Sequence, residues 1–526
     1  MSNDSLYTPP LMPHLLIEGL NRYNDEPCLF LGDKVASYRE VRESTSQMVQ
    51  ALQSKGLGVG SRVAVISANR PEVLSNIAAM QLTGCIGTPL HPLGSLDDHA
   101  YVIEAADIDT LVFDAALFSE VAAALKERVP ALKNFLGFGP NEIGDDYMAL
   151  AAGFEPQPLE APDIGPDDIA SVNFTGGTTG KPKGVMSPHR VSAYMTQIQM
   201  SEWEFPEEVR MLMATPLSHA AAAFFIPVLQ KGGAFYVMQG FSPDEFFDTV
   251  KEHKITCTML VPVMIYFLLD SPRATDGSMD SMETIFYGAS PMSPARLQEG
   301  IEKWGQVFYQ FFGQSECPMV IANMSRAEHD LSKPERFASC GRPTPWVHVA
   351  LMDKDMNKVP QGEPGEICVR GPLIMQGYKD MPEQTAETFE GGWLHTGDVG
   401  KLDEDGFLYI VDRTKDMIVT GGFNVFPREV EDVLTGHDAV AQVVVVGVPD
   451  DQWGEAVKAV VVLKPGTEGT DQLVADMQAL VKDAKGSVQS PKSIDFVDAI
   501  PLTPVGKPDK KAVKAQYWEG NERGVG

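Results

Sequence analysis

Eleven consecutive residues carry the densest chemistry in the chain: Phe174-Thr175-Gly176-Gly177-Thr178-Thr179-Gly180-Lys181-Pro182-Lys183-Gly184. Glycines lack a Cβ, so the backbone can fold tightly and turn several N–H groups towards one anion. Thr175, Thr178 and Thr179 add hydroxyl donors, and Lys181 and Lys183 add positive charge. Such a loop suits the β- and γ-phosphates of a nucleotide. It is not a Walker A loop: position 175 is Thr rather than Gly, and Gly180-Lys181 runs into Pro182 rather than Ser or Thr. The apolar stretch 169–174 leads into it.

The elements that must hold this loop follow an α/β pattern. A helical periodicity over 41–55 leads through a glycine-rich turn into an apolar strand at 62–67. A second helix follows at 71–83 and another apolar stretch at 85–90. Similar strands recur at 209–215, 234–237 and 257–261. Strands alternating with helices predict parallel βαβ units. From Gly365 the texture changes to short strands and turns at 366–370, 407–411 and 417–419, which predicts a smaller β-rich subdomain. Beyond it, 440–448 and 456–463 read as buried strands and 471–482 as an amphipathic helix. The expected architecture is a large N-terminal domain, 1–412, of βαβ subdomains plus a small β-rich subdomain. A small α+β C-terminal domain, 413–526, follows it, which the resemblance given below implies to be mobile.

With 526 residues, 44% apolar and 22% charged, the composition is that of a globular protein of at least two domains. The 72 acidic against 42 basic residues give a net charge of −30. That charge argues against a nucleic-acid partner and against docking on anionic membranes. Segment 413–526, with 13 basic and 17 acidic residues, is the less acidic part. The six cysteines are scattered with no C-x-x-C pair, which speaks against zinc-ribbon or iron–sulfur centres and for reduced thiols. No signal peptide opens the chain, and the most apolar run, 220–229, is too short to span a bilayer. A cytoplasmic protein without integral membrane association is expected.

The phosphate loop resembles that of the adenylate-forming superfamily: acyl-CoA synthetases, peptide-synthetase adenylation domains and firefly-type luciferases. Seven further segments fall in that family's order. They are Pro216-Leu217-Ser218-His219, Gly288-Ala289-Ser290-Pro291-Met292, Gln310-Phe311-Phe312-Gly313-Gln314-Ser315-Glu316 and Gly365-Glu366-Ile367-Cys368-Val369-Arg370-Gly371. Trp393-Leu394-His395-Thr396-Gly397-Asp398, Asp412-Arg413-Thr414-Lys415-Asp416 and Pro501-Leu502-Thr503-Pro504-Val505-Gly506-Lys507 complete the set. The resemblance spans roughly 25–515. Two departures stand out. The family often has Ser where this chain has Gly176, and Tyr-Gly-x-Thr-Glu where it has Phe312-Gly313-Gln314-Ser315-Glu316. Thr178, Thr179 and Ser315 retain hydroxyls, and Phe312 can still stack.

The resemblance implies a role for each motif. Residues 175–183 grip phosphates, and Gly288, Ala289 and Ser290 pack on adenine. The Gln310–Glu316 segment, with Gln310, Gly313, Gln314 and Ser315, brings the stacking Phe312 and a magnesium-ligating Glu316, with Thr175 as a second metal ligand. Asp398 takes both ribose hydroxyls and Arg413 touches ribose. Lys415 marks a hinge, after whose rotation Gly421 and Gly422 admit pantetheine. Lys507 is the catalytic lysine, and His219 borders the acyl group. The alanines after His219 leave room for a bulky or long acid, with Phe224, Phe225, Met264, Tyr287 and Met319 as candidate lining residues.

The chemistry fits these residue types. Joining an anionic carboxylate to an anionic α-phosphate requires charge neutralisation, which Lys507 and Mg²⁺ would provide. The expected activity is an AMP-forming carboxylate–CoA ligase using ATP, Mg²⁺ and CoA on a fatty or aryl acid. An adenylating enzyme with an amine or a carrier-protein thiol as acceptor is the alternative. No carrier module follows Gly526, so loading in cis is not expected. A non-catalytic acyl-binding protein would have lost Lys507, Glu316 or Asp398, and all three are present. The acid and the oligomeric state stay open at this level, a homodimer included.

Overall fold

A computed structural model of the chain describes residues 9–175, 182–413, 416–420, 423–450, 453–502 and 508–518. Local sequence signals set the element ends. Ser37 caps the helix Tyr38–Ser54, its hydroxyl accepting from the Glu40 amide while the Glu40 carboxylate accepts from the Ser37 amide. Gly84 ends Pro71–Thr83 with φ +75°, and a Cβ there would stand 2.8 Å from Val59 Cγ2, so glycine is required on both counts. Asp471–Lys485 runs three residues beyond the expected end and stops at Gly486, φ +89°.

Among the described residues the strands form four sheets. One of eight strands centres on the parallel set Ile86–Pro89, Arg62–Ile66 and Thr110–Phe113, the first two close to the bounds expected from sequence. One of nine strands centres on Arg210–Met213, Cys257–Leu260, Thr284–Gly288 and Phe308–Gln314, again parallel. Not every pair in these sheets is parallel. Ile169–Thr175 and Lys183–Pro188, which flank the phosphate loop, are antiparallel, with Thr175 opposite Lys183. The reason is length: parallel neighbours need a crossover of a dozen residues or more, and seven separate Thr175 from Lys183.

The β-rich subdomain is an antiparallel sheet of four strands, His348–Met352, Gly365–Arg370, Leu394–Leu402 and Leu408–Arg413. The next strand, Ile418–Thr420, belongs to another sheet, in which the long hairpin Val440–Asp450 and Gly454–Leu463 pairs in parallel with Ser493–Phe496. The helices Pro427–Thr435, Asp471–Lys485 and Lys510–Trp518 complete this α+β module. No helix of the described residues is long and apolar enough to cross a membrane. All six cysteines are buried and free. Burial pushes Cys317 and Cys340 up to about 12, so neither is a ready nucleophile.

The helix His189–Glu202 delivers Trp203 into an aromatic cluster under the nine-stranded sheet. Its ring lies 5.2 Å from those of Phe224, Phe286 and Phe311 and 5.8 Å from Tyr309. This cluster sits directly beneath strands that carry site residues at their ends. Trp203→Ala should cost about 3–5 kcal/mol of stability, measurable as a lowered denaturation midpoint by circular dichroism.

Candidate active site

The sheets meet at a cavity of ≈ 2930 Å³ lined by the strand ends and by the C-terminal module. Every site residue expected from sequence whose side chain is described lines it: Thr175, Lys183 and His219; Gly288, Ala289 and Ser290; Gln310, Phe312, Gly313, Gln314, Ser315 and Glu316; and Asp398. Gly176, Gly177, Thr178, Thr179, Gly180, Lys181, Lys415, Gly421, Gly422 and Lys507 lie outside the described residues. The backbone of Arg413 is the register partner of Asp398.

Glu316 sits in the tight connection between Phe308–Gln314 and Cys317–Met324. Gly313 is needed there, because a Cβ would lie 2.2 Å from the Met319 amide nitrogen. Met319 itself holds φ +62°, a left-handed conformation unusual for a large side chain. Tyr378, which the motifs did not single out, ties the two sheets together. Its hydroxyl donates to Glu316 Oε1 at 2.8 Å, and its ring lies 4.6 Å from Lys183 Nζ. Burial and the Glu316 charge push the Tyr378 phenol well up, so it remains a donor. Its strand Gly377–Tyr378 pairs with Lys183–Pro188, which brings Glu316 and the phosphate-loop edge to one wall. The Gly-Tyr pair after the Gly365–Gly371 motif was the available signal.

The loop following Thr284–Gly288 is shaped by close approach. A Cβ on Gly288 would lie 2.4 Å from the Phe311 carbonyl oxygen, and Ala289 adopts φ +64°. Strained backbone of this kind persists where surrounding contacts over-determine it, as they do at ligand sites.

Asp398 is 6% exposed and follows Gly397, φ +71°. The strand Gly365–Arg370 clamps this turn. Glu366 Oε1 accepts from the Gly397 amide at 3.0 Å, Glu366 Oε2 accepts from His395 Nδ1 at 2.8 Å, and the Thr396 hydroxyl donates to the Ile367 carbonyl at 2.7 Å. Glu366, Cys368 and His395 also form a grouping of metal-binding atom types. Glu366 and His395 already satisfy each other, and burial pushes the Cys368 thiol up to about 12. The group therefore works as a clamp on the turn.

His219 leads the 3₁₀ turn Ala220–Phe224; its Nδ1 is 2.8 Å from the Ser218 hydroxyl and its ring stands edge-on to His91 at 4.8 Å. Burial lowers His91, whose Nδ1 accepts from the Leu93 amide. Ala220, Ala222 and Ala223 face the cavity, as their small size suggested. Of the candidate lining residues Met319 reaches it, whereas Phe224, Phe225, Met264 and Tyr287 are core residues. The apolar wall comes instead from Val73, Ile77 and Met80 on one helix and Val191 and Met195 on another. Nothing in the spacing of these residues foretold their convergence.

Glu366→Gln removes one of two carboxylate acceptors from the turn. It should cost about 1–3 kcal/mol and speed amide exchange at residues 396–398, measured by urea denaturation and by hydrogen–deuterium exchange.

Comparison with known proteins agrees with this geometry. Residues 17–379 match the family described as AMP-binding enzyme, and 429–507 match the AMP-binding enzyme C-terminal domain. A medium/long-chain-fatty-acid–CoA ligase of Mycobacterium tuberculosis is 50% identical, the alignment covering 100% of this chain and 93% of the relative. A feruloyl-CoA synthase of Amycolatopsis is 33% identical over 92% of this chain and 95% of its own. Among solved structures, the amide bond synthetase McbA from Marinactinospora thermotolerans superposes with a TM-score of 0.88 at 32% identity, covering 96% of this chain and 99% of that one. The chain belongs to the AMP-binding enzymes, the adenylate-forming superfamily whose motifs it carries in order.

Proposed function

We propose that this protein is an ATP-dependent carboxylate–CoA ligase. It activates a fatty or aryl acid as acyl-AMP with release of diphosphate, then passes the acyl group to the thiol of CoA. One observation carries this reading: a phosphate-loop edge, a carboxylate hairpin, a clamped ribose turn and an apolar wall open into a single cavity. The relatives named for fatty-acid and feruloyl substrates support an acid of apolar body. The six unpaired, buried cysteines suit a reducing compartment such as the cytoplasm.

In this reading Thr175, Lys183 and the intervening loop, Gly176 to Lys181, hold the β- and γ-phosphates. Gly288, Ala289 and Ser290 form one face of the base site, Phe312 stacks on the base, and Asp398 accepts from the ribose hydroxyls. Gln314 and Ser315 line the phosphate side of the same hairpin. The Thr175 hydroxyl and the Glu316 carboxylate are hard oxygen donors of the kind that bind Mg²⁺ together with phosphate. Glu316 Oε2 has no hydrogen bond among the described residues, so it is open to such an ion. Bound there, Mg²⁺ would supply positive charge against the phosphates. Lys507, on a compact mobile charge, neutralises the approach of carboxylate to α-phosphate.

Thiolysis needs a different set of groups at the same centre. The module 413–526 turns about Lys415 relative to residues 1–412, with Arg413 at the ribose. Lys507 is withdrawn, and Gly421 and Gly422 come forward to pass pantetheine close to the backbone. His219, with His91 at its edge, stands where the acyl group must be left open to the thiol.

Two measurements test this. Lys507→Ala should lower acid-dependent pyrophosphate release by about 10²–10³-fold, while thiolysis of preformed acyl-adenylate stays within a few-fold of the parent. Equal loss of both steps contradicts the assignment. The likeness to an amide bond synthetase makes the acceptor a second question. CoA, primary amines and a carrier-protein thiol, offered with ATP and a panel of fatty and aryl acids, should give thioester with CoA at the highest kcat/KM. Amide formation in preference would replace the ligase reading with an amide synthetase.

A further inference from the structure

A buried polar chain lies behind the base site, and the catalytic reading gives it no task. Tyr287 and Gln310 are register partners on adjacent parallel strands, so their side chains leave the sheet on one face. Phe312, two residues along, shares that face. Tyr287 is fully buried, and its Oη lies 2.9 Å from His329 Nε2 and 3.1 Å from Gln310 Oε1, in a carboxamide whose O and N are told apart only by their hydrogen bonds. His329 is also fully buried, with Nδ1 2.7 Å from the Ser325 carbonyl oxygen.

Counting hydrogens fixes the direction of this chain. A carbonyl oxygen only accepts, so His329 Nδ1 carries a hydrogen. Burial pushes His329 down to about 4, so the ring is neutral and Nε2 is a bare acceptor. The single hydroxyl hydrogen of Tyr287 therefore goes to His329 Nε2. Only lone pairs remain on Tyr287 Oη for Gln310. An amide oxygen turned towards it would set lone pair against lone pair, a conflict worth about 1–3 kcal/mol in a buried site. A half-turn of the carboxamide removes the conflict at no steric cost. Gln310 Nε2 then donates to Tyr287, and Gln310 Oε1 turns away from it. Gln310 is among the residues lining the cavity, beside the Gly288–Ser290 loop.

We propose that Tyr287 and His329 are positioning residues for base specificity, holding the Gln310 amide oxygen towards the cavity as an acceptor for the exocyclic amino group of adenine. This rests on the cavity being the ATP site. An oriented acceptor rewards a 6-amino purine, tolerates a purine with hydrogen at that position and opposes a 6-oxo purine, whose oxygen brings a second set of lone pairs.

The unmodified enzyme tests the polarity directly. With a fixed acid, pyrophosphate release from ATP, purine riboside triphosphate and ITP should fall in that order of kcat/KM, ATP leading ITP by at least about tenfold. ITP performing better than purine riboside triphosphate would mean that the amide nitrogen faces the base, and would overturn the proposal. Tyr287→Phe keeps the ring and frees the carboxamide. It should reduce the ATP-to-ITP ratio by about fivefold or more, through the nucleotide KM, with kcat and the acid KM changed less than twofold. A loss shared equally by both nucleotides would mean a merely structural role and would also overturn it. The absence of acid-dependent release with ATP itself would remove the ligase reading first, and this inference with it.

Discussion

The structure is organised around one electrostatic problem, the approach of a carboxylate to a triphosphate. At 4 Å two unit charges repel by about 4 kcal/mol at an effective dielectric constant of 20, and a triphosphate carries several. A chain with net charge −30 could be expected to make this worse. It does not, because charges beyond a screening length of about 8–10 Å contribute little at physiological salt, and the cavity is furnished locally. Lys183 lies against the Tyr378 ring at the phosphate-loop edge, and the motifs bring Lys181 and Lys507 to the same centre by resemblance. Acidity on the outer surface and cations at the loop are compatible for this reason.

Neutralisation by itself would fix ATP in place, yet the chemistry needs a second step at the same carbon. The architecture separates what must be rigid from what must change. The residues proposed to meet base, ribose and phosphate lie at strand ends of the two large sheets and the four-stranded sheet, which share a buried cluster, and the Tyr378 tie links the two large sheets. In the proposed reading the second step is served by the C-terminal module, whose sheet begins with Ile418–Thr420, beyond Leu408–Arg413, the last strand of the four-stranded sheet. The chain changes sheets between residues 413 and 418, and a hinge of the proposed kind needs only a few residues to absorb its turn.

Much of this was legible in the chain because motifs are local. The phosphate loop, the Phe312–Glu316 hairpin and the Thr396–Asp398 turn each announce themselves by residue types a few positions apart, and the loop's flanks Thr175 and Lys183, the hairpin and the turn line the cavity. What escaped notice depends on register between distant strands. Tyr378 meets Glu316 only because a two-residue strand pairs with Lys183–Pro188. Glu366 and His395 were quoted within motifs, yet the clamp between them exists only through the pairing of Gly365–Arg370 with Leu394–Leu402. The acyl wall fared worst. Phe224 and Phe225 are adjacent to His219's alanine run, but Phe224 turns into the Trp203 cluster and Phe225 onto Phe235, and the helix Pro71–Thr83, over a hundred residues upstream, supplies part of the wall instead.

In the proposed reading the two ends of the nucleotide are recognised by opposite means. Phosphate is met by cations and a carboxylate hairpin, whose attraction salt screens. The base is met by an uncharged relay, with His329 kept neutral by full burial and every hydrogen on Tyr287 and Ser325's partner committed. A charged group at the base site would add to the attraction for any nucleotide and so would not discriminate among them. A neutral acceptor of fixed direction discriminates while leaving phosphate affinity untouched. The relay runs through Tyr287 and His329 within the core of the nine-stranded sheet and meets the Glu316–Tyr378 tie through the strand Phe308–Gln314, which carries Gln310 and ends beside Glu316. A base end that holds without charge would let the phosphate end loosen for product release while the adenylate, held by base and ribose, waits for the thiol.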